Sequence, residues 1–434
     1  MYSVAVIIFS PLVGRALTTV GRKVILVGGL FSMGISMIGF GAADLSPNRI
    51  TFGILVFFFR FCQGASSCAI QTTSYAVISM SFPQEQEKYI ALMQTAIGSG
   101  LILGPVMGTF LYAIFGFSGT FFLIGVVFIF LTFSLSFLIP QSIDKKDDVE
   151  TPIERRMSRY EENVMVHTAE KISFCKLITT MRFTLGGMAG MMAVFMLCYM
   201  EPVLAFRLEE FKIDAFYIGT FFSIQPISYV ILSFTITWFT DIFANRGLLM
   251  AGAFLSGISM FLVGPSHYLP NDLNLMGVGQ LCIGAFGLFL MVPAIPEMIN
   301  AASEIYPKRI IEITDMSAGV FNCCLGIGMV VAPIYGSNFT TLYDFRNCSD
   351  VVGCVLLAYC LIYFILGGGF SLLKAGCKEK VKAEVDVIRE DPSRNMSMRN
   401  RLFSNMSHDE NYDIDTWKLL NSEQLIVEEV DKEG

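Results

Sequence analysis

Charge is scarce in this chain. Only 15% of its 434 residues are Asp, Glu, Lys or Arg, against 54% hydrophobic residues, and the mean hydropathy is +0.60. A soluble enzyme of this length needs no such excess of apolar side chains, so that class is excluded. Three His and two Trp are the whole supply of those residues. No HExxH, no CxxC and no Ser/His pairing occurs in the apolar runs, so zinc, thiol-redox and nucleophilic chemistry have nothing to stand on and an intramembrane enzyme is not expected. No cofactor is called for. Eight of the eleven cysteines, Cys62, Cys68, Cys198, Cys282, Cys323, Cys324, Cys354 and Cys360, lie in apolar runs and read as small packing residues. A net charge of −7 offers no basic surface to nucleic acid. The opening MYSVAVIIFSPLVGRALTTVGRK lacks a basic leader, and its apolar run ends in a basic cluster, which argues against a cleaved signal and for a membrane span.

What the chain does have is 39 Phe, 24 Met and 38 Gly, the composition of lipid-facing helices packed through small residues. An all-α membrane protein is predicted, with the lipid bilayer as its first partner. Runs of about 20 apolar residues suffice to span. Eleven are found, at 1–17, 24–43, 51–80, 89–112, 119–139, 183–206, 216–239, 248–264, 275–297, 313–336 and 351–373. Two long polar stretches, 140–182 and 374–434, are rich in charge, Ser and Asn. The expected organisation is therefore a first bundle over 1–139, a central loop over 140–182, a second bundle over 183–373 and a polar, partly disordered tail over 374–434. Strict alternation places Arg49, Arg207, Lys212 and Arg346 on one face and almost all other basic residues, including Arg22, Lys23, Lys88, Arg246, Lys308 and Arg309, on the other, which is read as cytoplasmic.

The fourth and tenth runs carry one pattern twice. Gly98, Gly100, Gly104, Pro105, Gly108 and Phe117 recur as Gly326, Gly328, Ala332, Pro333, Gly336 and Phe345, at a constant offset of 228. The two halves are read as repeats. The same offset gives the run at 183–206 a partner 22 to 45 residues before Met1, so eleven spans are expected to be present of twelve.

Two parallel repeats of six spans joined by a long loop resemble the major facilitator superfamily. GRALTTVGRK, residues 14–23, resembles that family's loop signature G-x-L-A-D-R-x-G-R-K, with Gly14, Gly21, Arg22 and Lys23 matching and Thr18 in place of the acid. The Thr puts the usual charge latch of this loop in question, and a basic loop that merely sets topology is the alternative. In the second half FTDIFANRG keeps an acid, Asp241, with Arg246 beyond it, and is expected to retain the latch. RFCQGASSCA supplies Arg60, Gln63 and Gly64 in the family's R-x-x-Q-G pattern; an Arg this deep costs about 2.5–3.5 kcal/mol on insertion scales and is expected to face a cavity or a partner. Gly100, Gly104, Pro105 and Gly108 match the antiporter pattern GxxxGPxxG, where small residues allow close helix approach and Pro bends the span.

Together with MEPVLAFRLEEF (200–211), SIQPISYV, VGPS and VPAIPEM, these motifs make residues 1–373 resemble solute carrier family 18, the vesicular amine transporters, and most of all its polyamine branch. The resemblance implies a proton-coupled antiporter of organic cations, with a small organic cation and protons as partners. It implies that Glu201, before the helix-bending Pro202, binds cation or proton, with a near-surface carboxylate solvated beside Arg207 as the alternative. It also implies a cation-binding ring at Tyr229, which in its own right could equally be a packing residue. Asn322 and Met291 stand where vesicular monoamine transporters have acids, which leaves Glu297 as the acid of the second half. The departures at Thr18 and Asn322 and the missing span motivate two alternatives: a truncated, non-transporting binding or regulatory protein, or a facilitator for another solute such as a drug or sugar. DTWKLL, with Asp415, Leu419 and Leu420, fits an acidic dileucine signal for a sorting adaptor and hence a vesicular or endolysosomal membrane, with the plasma membrane as the alternative. Asn338 and Asn347 form sequons in what is expected to be a lumenal loop.

Overall fold

The computed structural model describes residues 1–140, 143, 172, 174–213, 215–306 and 309–368. The chain divides into a compact unit, Met1–Leu372, and a second unit, Leu373–Gly434, which lies outside the described residues together with the sorting motif at Asp415, Leu419 and Leu420 and nearly all of the central loop. The described residues form helices α1 (Tyr2–Val20), α2 (Arg22–Ala42), α3 (Arg49–Ser81), α4 (Gln86–Leu138), α5 (Phe174–Thr179), α6 (Met181–Cys198), α7 (Leu204–Glu209), α8 (Ala215–Ser233), α9 (Ile236–Ile242), α10 (Asn245–Val263), α11 (Leu273–Met291), α12 (Ala294–Ser303), α13 (Ile310–Tyr343) and α14 (Phe345–Leu366). No strand occurs among them. The all-α reading therefore holds.

Nine helical segments are long and apolar enough to cross a membrane, or ten when the α8–α9 pair, bent by 50°, counts as one span. The expected eleven runs are nonetheless all helical. The fourth and fifth share α4, whose two arms of about 30 and about 22 residues each exceed the length that a bilayer requires at about 1.5 Å per residue. They meet at Gly116, with φ 65° and ψ −170° and no intervening loop. Only a residue without Cβ takes up that conformation freely, so one glycine does the work of a turn. The run at 183–206 is corrected. Its helix ends at Cys198, whose carbonyl would need an N–H from Pro202 four residues on, and Glu201 and Pro202 sit in the following turn instead of a bent helix. The run at 275–297 breaks between Met291 and Ala294 at Pro293, giving α11 and α12.

Within the first half α2 packs on α3 and α4, and α1 on α3; within the second, α6 packs on α11, α12 and α13, and α10 on α11 and α14. The halves meet where α1 and α3 pack on α13 and where α4 packs on α8 and α9. Inner face denotes the side of the central loop, and outer face the opposite side.

Candidate functional site between the halves

At the inner rim the loop after α1 delivers Arg22 to α13. Its Nε lies 3.1 Å from Asp315 Oδ1 and a terminal nitrogen 2.9 Å from Oδ2, a bidentate pair with 9% and 0% of the two side chains exposed. Arg22 also donates to the carbonyl of Ile143 at 3.3 Å. The fork geometry of guanidinium on carboxylate fixes both direction and distance. The backbones can come this close because Gly14 faces Gly319: a Cβ on Gly14 would lie 2.9 Å from the Asp315 carbonyl oxygen. On the other side of the interface the inner contact is weaker, Asn245 Nδ2 at the start of α10 donating to Glu87 Oε1 of α4 at 2.8 Å.

One layer further in, the contacts are neutral. Gln94 Nε2 donates to the Tyr75 hydroxyl at 2.9 Å, and the Tyr229 hydroxyl donates to Gln94 Oε1 at 2.9 Å. Thr95 and Ser233 share a hydrogen bond of 2.6 Å. On the other side Asn322 Nδ2 donates to Thr72 Oγ1 at 3.0 Å and Cys323 Sγ to the Ile7 carbonyl at 3.5 Å. Tyr75 presents its ring edge-on to Phe321 at 5.4 Å. Asn322 Oδ1 and Thr73 Oγ1 are buried without a hydrogen-bond partner among the described residues, so this layer keeps hydrogen-bonding capacity in reserve.

These contacts obey the repeat. Adding 228 to Glu87, Gln94, Thr95 and Gly98 gives Asp315, Asn322, Cys323 and Gly326, and all eight positions touch the opposite half. The offset that marks the motifs therefore also marks the interface. Past Gly98 and Gly326 the pattern changes. Gly100, Gly104, Gly108 and Gly116 on α4, and Gly219 on α8, meet nothing within 4 Å.

The expected site residues do not all converge on this interface. Arg60 is exposed; its guanidinium lies 4.6 Å over the Phe40 ring and donates to Gln63 Oε1 at 3.3 Å, with no acidic partner among the described residues. Gln63 is buried and reaches the Ser36 carbonyl at 3.4 Å. Tyr229 is buried in the interface, bonded to Gln94, and so packs between the halves in this conformation. Glu201 is exposed and apart from Arg207, which turns to Glu210 and to Asn271 Oδ1 at 2.7 Å. Glu201 is thus near the surface, as the alternative reading had it, but forms no ion pair with Arg207 among the described residues. Neighbouring apolar chain pushes the Glu201 carboxyl above the ordinary carboxylate value by desolvation.

Glu297 lies elsewhere, in a cluster at the inner end of the second half. Its Oε1 accepts from Arg182 at 2.8 Å and from Arg246 at 3.1 Å, and Arg182 also pairs with Glu304 at 2.5 Å. Arg246 of the second-half loop motif also reaches this cluster, its Nε donating to the buried Glu297. Thr18 bonds locally, to the Arg15 carbonyl at 3.0 Å, and Arg22 carries the charge contact of the first loop. Gly21, with φ 98°, separates α1 from α2, while Lys23 lies in the first turn of α2. The loop expected around the sequons is corrected: α13 runs to Tyr343, α14 starts at Phe345, and Asn338 and Asn347 are helical, each donating to a carbonyl four residues back. Asp315, Gln94, Tyr75, Thr72, Glu87 and Arg182 were not singled out by motif. Applying the offset of 228 to Asn322 finds Gln94, and applying it to Glu87 finds Asp315.

Comparison with known proteins agrees with this architecture. The profile of the Major Facilitator Superfamily matches residues 1–204 and 178–383, and the chain belongs to that family. It is similar to the human MFS-type transporter SLC18B1, 24% identical over 383 residues, covering 87% of this chain and 78% of the relative. It is also similar to the multi-drug resistance efflux pump PmrA homolog of Lactococcus lactis, 23% identical over 357 residues, covering 80% and 78%. Among solved structures, the proton:xylose symporter XylE aligns with a TM-score of 0.65 at 15% identity, over 84% of each chain. The protein is a multi-pass membrane transporter of the secondary type, resembling solute carrier family 18.

Proposed function

We propose that this protein exchanges protons for an organic cation, an amine or polyamine, by alternating access of a site between its halves. The observation that carries the reading is Glu201. Asp315 and Glu297, the acids buried at helix ends, are each matched by guanidinium groups, whereas Glu201 has no basic partner among the described residues and holds its proton to higher pH than a free carboxylate. Such a group can exchange a proton for a substrate cation. The inner contacts of Arg22 with Asp315 and of Gln94 with Tyr229 close one side, and their release would open it. One pH unit supplies about 1.4 kcal/mol per proton, enough for tenfold concentration of a neutral solute. Each entering charge is opposed by about 2.3 kcal/mol per 100 mV of inside-positive potential, so a polyamine requires two or more protons or a low potential.

Uptake of labelled spermidine and serotonin into proteoliposomes under an imposed pH gradient tests the reading. Uptake is expected to vanish when the gradient is collapsed, and Glu201→Gln is expected to lose proton dependence; uptake indifferent to both would sink it. A second reading, transport of a neutral polar solute, is favoured by one observation, the purely amide and hydroxyl layer of Gln94, Tyr75, Tyr229, Thr72 and Asn322. Labelled xylose in the same vesicles separates the two.

A further inference from the structure

A cavity lies inside the second half, away from the interface just described. Its volume is about 390 Å³, within the range of small-molecule sites, and it opens between α6, α13 and α14. Met191 and Phe195 of α6 form its back, Ile327 and Val331 of α13 one wall, and Val352 and Val355 of α14 the other. The Tyr335 hydroxyl at its edge donates to the Cys348 carbonyl at 2.9 Å, and the lining presents only apolar atoms to the cavity. An apolar guest suits it, because a polar group would leave its water partners for a wall that replaces none of them.

Position identifies the guest further. At about 100° per residue, Ile327, Val331 and Tyr335 lie on the face of α13 opposite Asp315, Asn322 and Gly326, which touch the first half. The cavity thus opens away from the transport path. Its rim residues Val331 and Val355 are exposed and continue into the apolar surface of Ile334, Val351 and Ile362, the face these spans turn to the bilayer. Val351 to Val355 fall about 9 to 15 Å from the outer end of α14, which is the depth of one leaflet's hydrocarbon. Two methionines among the lining residues, Met191 and Met192, adapt to a flexible chain. We propose that this cavity is a binding site for one acyl chain of an outer-leaflet phospholipid, held between α6, α13 and α14.

The test uses the full chain reconstituted in phosphatidylcholine vesicles containing a trace of phosphatidylcholine with a diazirine midway along one acyl chain. After irradiation and digestion, adducts are expected to concentrate on the peptides bearing 191–195, 327–335 and 351–355. Val352→Trp fills the cavity and is expected to cut those adducts at least fivefold, leaving adducts at the lipid-facing Ile8 and Leu12 of α1 unchanged. If Val352→Trp fails to fold, the rim variant Val355→Trp gives the same reading. Adducts spread evenly over α1, α4 and the cavity, or unaffected by the filling variants, would overturn the site. Displacement of the acyl probe by a diazirine sterol at equal concentration would overturn the assignment to an acyl chain.

Discussion

Helices α4 and α13 carry the same Gly and Pro pattern 228 residues apart, yet Gly326, Gly328, Ala332 and Gly336 are all buried on α13, whereas of Gly98, Gly100, Gly104 and Gly108 on α4 only Gly98 is. Both use one face alike, since Gly98 and Gly326 press against the opposite half. The second face differs. On α13, Gly328 lies against α6, where a Cβ would fall 2.8 Å from the Met191 carbonyl oxygen, Ala332 is fully buried, and Gly336 packs on Tyr199 and Pro202. The corresponding Gly100, Gly104 and Gly108 touch nothing among the described residues. A small-residue pattern thus specifies a surface that another helix can approach closely, and the packing partner decides whether it is used.

A second asymmetry follows the same repeat. Asp315 meets a guanidinium and its counterpart Glu87 meets an amide. Asp315→Ala strands a buried Arg22 and is expected to cost about 3–5 kcal/mol, read as a fall in thermal unfolding temperature of the purified protein. Asn245→Ala, on the weaker side, is expected to cost about 0.5–1.5 kcal/mol in the same measurement. Equal losses would break the contrast between the two rims.

Next in size come the amides. Gln94→Ala leaves the Tyr75 and Tyr229 hydroxyls buried without their shared partner and is expected to cost about 1–3 kcal/mol, while Asn322→Ala removes one bond and about 1 kcal/mol. The glycine faces give a sharper comparison at similar scale. Gly336→Leu is expected to lose about 1–3 kcal/mol by overpacking against Tyr199, and Gly104→Leu to stay within about 0.5 kcal/mol. A Gly104→Leu loss as large as that of Gly336→Leu would mean that the bare face of α4 is covered in the membrane. The smallest stability effect belongs to Glu201→Gln, within about 0.5 kcal/mol because the side chain is exposed, although its effect on proton coupling is expected to be the largest of all.

Much of this architecture was legible in residue order. Apolar length located the spans, although it carried 183–206 past the helix end at Cys198, and the repeated glycines gave the two halves, because spanning a bilayer imposes a length and close approach imposes small residues. What composition could not supply was pairing across the interface. Thr18 in place of an acid suggested that the first loop had lost its charge contact, but the contact had moved to Arg22 and Asp315, residues far apart in the chain that meet only through the packing of α1 on α13. Glu297 read as a lone acid because its two arginines, Arg182 and Arg246, come from other helices. The outer joints were misjudged for a simpler reason. Gly116 and Asp344 make turns of one residue, and apolar runs separated by a few small or polar residues look like spans with a loop between them.

Those one-residue joints decide where the outer face can be handled. An epitope or a protease needs several consecutive residues free of helix, which neither Gly116 nor Asp344 provides. The stretch from Gly264 to Asp272, between α10 and α11, does, and Tyr268 at its tip is 98% exposed. A short tag placed beside Tyr268 would make the protein visible to an antibody from one side of a sealed vesicle, and so report which way each reconstituted molecule faces before any solute is counted.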